Sequence, residues 1–161
     1  MQRGLRLRSR MPAPSRKRRT MAARLPWDER PHEFLFHYTY RWRAEAISRT
    51  SEFVVGHTPH PRHGTGMFAT DIRPGQLPLD EVLRILFNDA RPAEILDAVI
   101  VVRRDLSVFK AVDQNQFLWS ARPTSPEEPG LDLVGLMVGY GQRGVGREYL
   151  FPRWVWELWP C

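Results

Sequence analysis

Residues 34–40, with the sequence FLFHYTY, alternate between apolar and polar side chains and constrain the fold more than any other stretch. A period of two is typical of a β-strand, and the aromatic and β-branched residues favour the same structure. His37 stands directly after three bulky apolar side chains. The pattern therefore predicts a first strand, and it leaves open whether His37 is a hydrogen-bonded core residue or a functional one.

The segments after this strand are predicted to form two helices and further strands. Residues 41–55 (RWRAEAISRTSEFVV) have apolar side chains at helical spacing, and residues 79–90 (LDEVLRILFNDA) carry a clearer helical pattern with Asp80 as a possible cap. Five later segments rich in β-branched and aromatic residues are predicted to be strands: DAVIVVRR, LSVFKAV, NQFLWSA, LDLVGLMVGY and REYLFP. A strand and helices followed mostly by strands favour an α+β fold over an alternating parallel one.

The net charge of +6 is distributed unevenly along the 161 residues. Residues 1–24 contain nine Arg or Lys and no acid, which leaves 15 of the 24 basic residues against all 18 acidic residues in the remainder. We therefore predict a basic, disordered arm over residues 1–27 and one domain over residues 28–161. Two interpretations of the arm stay open: contact with nucleic-acid phosphates, or a translation start assigned too far upstream.

The segment PWDERPHE, residues 26–33, contains two prolines and is predicted to be irregular. No apolar run in the chain reaches the length of a signal-peptide core or of a membrane span. The sequence thus predicts a cytoplasmic protein with no membrane partner.

Several common chemistries find little support in the sequence. His57, His60 and His63 invite a metal site, but their spacing fits no standard zinc pattern, so we predict a solvated loop and no metal. GYGQRGVG, residues 139–146, resembles a phosphate-binding loop in its glycine spacing, but a strand is predicted to follow, which favours a hairpin turn. No G-x-S-x-G motif is present, and the single cysteine, Cys161, has no plausible catalytic partner.

Two short motifs remain, and together they are more specific than either one alone. The first is His37-Tyr38-Thr39, and the second is GTGMFATD at residues 64–71. A strand with H-Y-T, a helical A-x-x-I, a polar loop and G-x-[aromatic]-x-T-D follow one another in this order. This arrangement resembles the His-Tyr-Asp class of ADP-ribosyltransferase toxin domains, which belongs to the diphtheria-toxin and poly(ADP-ribose) polymerase-like superfamily.

The resemblance implies a small split β-sandwich with two or three helices and a cleft for NAD. The positions that it assigns to NAD binding are His37, Tyr38, Thr39, Gly66 and Phe68. The family usually has tyrosine at the position of Phe68, and a phenyl ring keeps the stacking face for nicotinamide while losing the hydroxyl.

Arginine can neutralise the NAD pyrophosphate, because its guanidinium pairs with phosphate oxygens in two-point geometry. Arg41 is the predicted residue for this contact, and Arg43 lies close to it in the chain.

Cleavage of the bond between nicotinamide and ribose passes through an oxocarbenium-like state, which a nearby carboxylate stabilises. Asp71 fits the acidic position of the second motif, whereas Glu148 has the late-strand context in which the wider superfamily places its catalytic acid. We predict catalytic roles for His37 and Phe68 and for one of these two carboxylates. His37 is expected to bind the adenosine ribose while backbone groups beside it hold the nicotinamide amide.

The expected function is transfer of ADP-ribose from NAD to a macromolecular acceptor, by a bacterial toxin or effector domain. An NAD glycohydrolase of the same fold would use water as the acceptor. A non-catalytic module, whose basic arm binds nucleic acid or a partner, is the alternative from a different class. The expected partners are a protein or nucleic-acid acceptor and a cognate immunity or antitoxin protein.

Overall fold

The computed structural model describes residues 25–144 and 149–151 of the chain. These residues form three α-helices and nine β-strands in an α+β arrangement, which confirms the predicted fold class. The helices are α1 (Pro26–Glu29), α2 (Arg41–Thr50) and α3 (Leu79–Phe87), with 3-10 turns at Pro31–Glu33 and Ala93–Leu96. The strands are β1 (Phe34–Thr39), β2 (Glu52–Phe53), β3 (Gly66–Ala69), β4 (Ala98–Arg103), β5 (Lys110–Asp113), β6 (Gln116–Ser120), β7 (Leu131–Asp132), β8 (Met137–Arg143) and β9 (Tyr149–Leu150).

The strands form two larger antiparallel sheets and one short ribbon. The central sheet has the order β1-β4-β8-β9, the second has the order β3-β6-β5, and β2 pairs with β7. An isolated bridge between Phe36 and Thr70 joins β1 of the central sheet to the end of β3. Because the sheets meet at this bridge and then diverge, the fold is a small split β-sandwich.

Strand β1 has a hydrophobic core on each of its two faces. Phe34, Phe36 and Tyr38 belong to a core with Trp27 and with Val82 of α3. The alternate face, which carries Leu35 and therefore also His37, looks onto a second core formed by residues of α2, β3 and β4. The two-residue period of this strand thus separates two cores rather than a core from solvent.

Helices α2 and α3 form where the apolar spacing predicts them. Val82 of α3 is buried, and Asn88 ends the helix in the left-handed region, where asparagine is tolerated. The expected cap at Asp80 is wrong, because Pro78 occupies the N-cap position and Asp80 lies inside the first turn. A carboxylate there is still favoured by the helix dipole. In the described part of the chain, no helix is long and apolar enough to cross a membrane.

The proline-containing segment before β1 is regular, contrary to the prediction. Pro26 begins α1, and Pro31 begins the following 3-10 turn. Proline fits the first position of a helix because its fixed φ is helical and its missing N–H would have had no partner there. Trp27 is only 1% exposed, so the end of the predicted 1–27 arm belongs to the folded domain.

Two predictions for the glycine-rich region after residue 130 are also corrected. The segment LDLVGLMVGY contains two strands, β7 and β8, separated by a turn in which Gly135 has a φ of +78°. Strand β8 continues to Arg143 and pairs antiparallel with β9, so the predicted hairpin is present but the first half of residues 139–146 is strand rather than turn. Gly141 serves close packing, because a Cβ there would lie 2.6 Å from the ring of Phe151.

Candidate functional site

The two sequence motifs meet where the two sheets diverge. Phe36 and Thr70 exchange a pair of backbone hydrogen bonds, each 2.8 Å long. One residue further along β1, the imidazole of His37 donates from Nδ1 to the carbonyl oxygen of Phe68 over 2.6 Å. Because a carbonyl oxygen only accepts, Nδ1 carries the proton and Nε2 of the neutral ring keeps its lone pair.

The same junction leaves backbone groups of Tyr38 directed into the gap between the sheets. In an antiparallel strand, the N–H and C=O of one residue point to the same neighbouring strand, and those of the next residue point to the strand on the other side. Phe36 faces β3, so Tyr38 faces β3 as well. Among the described residues, Tyr38 forms a ladder pair with β4 and none with β3, and the His37 imidazole donates to the Phe68 carbonyl. One donor and one acceptor of Tyr38 therefore lie beside His37.

The phenol of Tyr38 lies on the opposite face of the sheet. Its hydroxyl donates to the carbonyl of Ile72 over 3.0 Å. Burial raises the pKa of Tyr38 well above its usual value, and neighbouring Tyr149 adds to the rise. Tyr38 can therefore contribute to the His37 side through its backbone and not through its ring.

His37 is half-buried as a residue, but its Nε2 atom is fully buried and has no hydrogen-bond partner within the described residues. The ring of Phe53 stands perpendicular to the imidazole with 5.0 Å between the centroids, and the guanidinium of Arg43 lies 4.8 Å above the Phe53 ring. The pKa of His37 is lowered to about 4: burial is the main cause, the hydrogen bond to Phe68 opposes it, and Arg43 adds to it. His37 is therefore neutral at neutral pH, with a buried acceptor nitrogen and the Phe53 ring packed against the imidazole.

The second motif contributes residues with different environments. The ring of Phe68 is half-buried and packs 5.4 Å from His60, on the side of β3 opposite the buried Met67 and Ala69. Asp71 accepts a hydrogen bond of 2.8 Å from the side chain of Asn115, at the turn between β5 and β6. The structure thus connects Phe68 to His37 through its carbonyl and ties Asp71 to the second sheet.

Three further predicted positions are placed as follows. Thr39 is buried on the same strand face as His37. Gly66 begins β3, where a Cβ would come within 2.1 Å of the Trp119 carbonyl oxygen. Glu148, the alternative catalytic acid, lies outside the described residues.

Arg41 and Arg43 lie on opposite sides of helix α2, because two residues correspond to a rotation of about 200°. Arg41 donates to the carbonyl of Arg143 over 2.9 Å, at the end of β8. Arg43 instead donates to the carbonyl of Val54 over 2.7 Å, beside Phe53. The structure therefore brings Arg43 to the His37 side of the helix and does not bring Arg41 there.

Two surface clefts are lined by residues other than His37. A cleft of about 410 Å³ is lined by Arg41, Tyr140, Gln142, Arg143, Gly144, Leu150 and Phe151. A second of about 560 Å³ lies at the other end of β1 and is lined by His32, Glu33, Arg103, Arg104, Asp105 and Leu106. Access to Nε2 of His37 therefore depends on the residues that cover it.

The histidine-rich loop between β2 and β3 packs on itself. The rings of His60 and His63 stack with 4.7 Å between centroids, and Nδ1 of His60 accepts from the backbone N–H of Arg62. In residues 25–144 and 149–151, no group of three His, Cys, Asp or Glu side chains is arranged to hold a metal ion.

Sequence reasoning missed Phe53. It assigned the nicotinamide amide to backbone groups beside His37 but did not identify which of these groups face the gap. Phe53 follows α2 in the chain and carries no motif, and its contact with His37 exists only because the chain turns back after the helix. The direction of the Tyr38 backbone groups depends on strand parity, which no local pattern encodes.

Comparison of the chain with protein-family models, with curated proteins and with solved structures found no match.

Proposed function

We propose that the protein is an NAD-dependent ADP-ribosyltransferase, with His37 and the backbone of Tyr38 as its NAD-binding centre. The observation that carries this proposal is the junction of the two motifs: the His37–Phe68 hydrogen bond, with the Tyr38 backbone groups directed to the same side of β1. This junction supports the proposal because it brings the two motifs, 31 residues apart in the chain, into direct contact at one place.

The chemistry of NAD matches the groups at this junction. The nicotinamide carboxamide has one acceptor oxygen and an NH₂ donor, which complement the N–H and C=O of Tyr38. Nε2 of neutral His37 accepts a hydrogen bond from a ribose hydroxyl and, being uncharged, does not repel the cationic nicotinamide ring. The ring of Phe68, which packs against His60, is the proposed aromatic face for nicotinamide.

In the proposed reaction, the bond between the ribose C1′ and the nicotinamide nitrogen breaks, and its electron pair neutralises the nicotinamide ring. The acceptor nucleophile then forms a bond to C1′ and loses a proton. A carboxylate beside the ribose stabilises the positive charge that develops on the sugar. Asp71 and Glu148 are the two proposed sources of that carboxylate.

The decisive experiment measures nicotinamide release and label transfer from radiolabelled NAD in a cell lysate. In His37→Asn the amide nitrogen can replace Nδ1 as donor to Phe68, while no atom replaces Nε2. We expect this variant to stay folded and to lose at least about 100-fold in nicotinamide release, corresponding to roughly 3 kcal/mol of transition-state stabilisation. His57→Asn, at an exposed histidine of the loop, is the matched control and should keep full activity.

Unchanged nicotinamide release in His37→Asn would contradict the proposal. Asp71→Asn and Glu148→Gln, measured separately, identify the catalytic carboxylate. Nicotinamide release without labelled acceptor would indicate a glycohydrolase, and salt-sensitive nucleic-acid binding without NAD turnover would indicate a binding module.

The resemblance extends the proposal to a bacterial toxin or effector that acts in the cytoplasm on a protein or nucleic-acid acceptor, with an immunity protein as partner. Growth arrest on expression, relieved in His37→Asn, is the observation expected from such an activity.

A further inference from the structure

The imidazole of His37 packs against a short strap, which we define as residues 51–55. Phe53 of the strap is 3% exposed and packs its ring against the imidazole. The Nε2 atom is fully buried, so no ribose can reach it in this arrangement. The candidate site is therefore closed in this structure, and the contacts that hold the strap decide whether it opens.

The strap has few backbone hydrogen bonds within the described residues, although the side chains of Phe53 and Val55 belong to the hydrophobic core. Its strand β2 pairs with β7 through two residue pairs only, Glu52 with Asp132 and Phe53 with Leu131. Val55 and Thr124 exchange two hydrogen bonds of 2.9 and 3.0 Å at one end of the strap. Ser51 accepts one from Leu133 at the other end. A short, weakly paired strap of this kind can be displaced without disrupting either large sheet.

Arg43 ties the centre of the strap to helix α2. Its guanidinium donates to the Val54 carbonyl and lies over the ring of Phe53. Arg43 is half-buried, and burial lowers its pKa. Within residues 25–144 and 149–151, no carboxylate forms a salt bridge with it. The half-buried charge of Arg43 is thus compensated only by a carbonyl dipole and an aromatic face. A counter-ion would compensate it better.

A phosphate group is the counter-ion that suits this guanidinium best. It is fully charged, and its oxygens accept two parallel N–H bonds from one arginine, whereas the present partners use a single N–H and the ring face. A phosphate competes with the Val54 carbonyl and the Phe53 ring for the position of the guanidinium. If the guanidinium moves to the phosphate, the strap loses this link to α2.

We propose that Arg43 is a binding site for a phosphate-bearing group, and that engaging this site releases Phe53 and uncovers Nε2 of His37. The inference rests on the proposed function where the phosphates are those of NAD. Free pyrophosphate offers the same chemistry, and separate arms of the experiment distinguish the two sources.

The first arm measures binding of inorganic pyrophosphate by calorimetry. Arg43→Gln should weaken binding at least 10-fold. Arg49→Gln, an exposed arginine on the same helix, should change it less than twofold. Equal pyrophosphate affinity in wild type and Arg43→Gln would overturn the proposal.

The second arm measures exposure of His37, as the rate at which diethyl pyrocarbonate modifies it, followed by mass spectrometry. Saturating pyrophosphate should raise this rate at least fivefold in wild type and leave it unchanged in Arg43→Gln. Phe53→Leu, which keeps an apolar residue in the core, should raise the rate without any ligand. Tight pyrophosphate binding with an unchanged rate in wild type would also overturn the proposal.

A third arm replaces pyrophosphate by NAD and separates the two hypotheses. If pyrophosphate exposes His37 but NAD is neither bound nor turned over, the proposed function fails and the anion site stands. If wild type and Arg43→Gln turn over NAD with the same KM, the anion-driven release fails and the proposed function stands.

Discussion

His37 replaces a backbone hydrogen bond that β1 and β3 cannot form once the sheets diverge. Its Nδ1–H satisfies the Phe68 carbonyl, which a strand ladder would have paired with Tyr38. A buried carbonyl without a partner is costly, so the imidazole stabilises the split in the sandwich. The same bond fixes the tautomer that leaves Nε2 as an acceptor. One side chain thus has a structural role through one nitrogen and a proposed functional role through the other.

The lowered pKa of His37 makes the stability of the protein depend on pH. An unfolded histidine titrates near 6.5 and the folded one at about 4, so the unfolded state binds more protons between these values. The contribution is therefore complete above pH 6.5 and decreases as the pH falls toward 4, by up to about 3 kcal/mol.

His37→Asn removes this titration and keeps a donor near Phe68. We expect the loss in unfolding free energy between pH 7.5 and 4.5 to be about 2 kcal/mol smaller in the variant than in wild type. Urea denaturation at both pH values measures it, with His57→Asn as the control. An identical pH dependence in wild type and His37→Asn would show that the imidazole is not held neutral by burial.

Strand β3 is built around a close approach at its first residue. Gly66 has a φ of +153°, and a Cβ at this position would lie 2.1 Å from the Trp119 carbonyl oxygen of β6. The backbone atoms of β6 cannot move aside as the end of a flexible side chain could. Only glycine therefore allows β3 to pair with β6 here. This packing requirement explains glycine at position 66 whether or not the residue also touches NAD.

Gly66→Ala should lower the free energy of unfolding by about 2–4 kcal/mol, because it separates β3 from β6 and strains the backbone. Gly56→Ala is the matched control, since no atom lies within 4 Å of the added methyl group. It should change stability by less than about 0.5 kcal/mol. Chemical denaturation of both variants measures the difference, and equal stabilities would refute the close approach.

The whole molecule is organised by a central sheet that is covered on both faces. Trp27 closes one of the two cores, with its ring centroid 4.7 Å from that of Phe151 and about 6 Å from those of Phe34 and Phe36. The beginning and the end of the described domain are thereby joined across β1. Residues ahead of the first strand are an integral part of the fold for this reason.

Trp27→Ala should cost about 3–5 kcal/mol of stability, the usual loss for removing a large buried aromatic side chain. Trp42→Ala should cost less than about 1 kcal/mol, because this tryptophan is 68% exposed on α2. Thermal unfolding monitored by circular dichroism compares the two variants. Similar losses would mean that the segment before β1 does not close the core.

Much of the fold followed from local patterns. The period of two at residues 34–40, the apolar spacing in α3 and the β-branched segments of β4, β5 and β6 predicted their elements, because each pattern reflects the geometry of one element. The wrong predictions concern residues whose structural role depends on their tertiary environment. Pro26 begins a helix rather than preventing one, and Gly141 makes room for Phe151 rather than for a turn.

The candidate site divides in the same way between sequence and tertiary structure. Periodicity and motif order are enough to predict a histidine on a strand and a glycine-aromatic motif after it. The folded chain is needed to see that these motifs share a hydrogen bond, that the Tyr38 backbone faces the gap, and that Arg43 rather than Arg41 reaches the His37 side. These features arise where distant segments meet. They depend on which residues of β1 face the gap, on the rotation of α2 and on the path of the strap. A local sequence pattern predicts none of these.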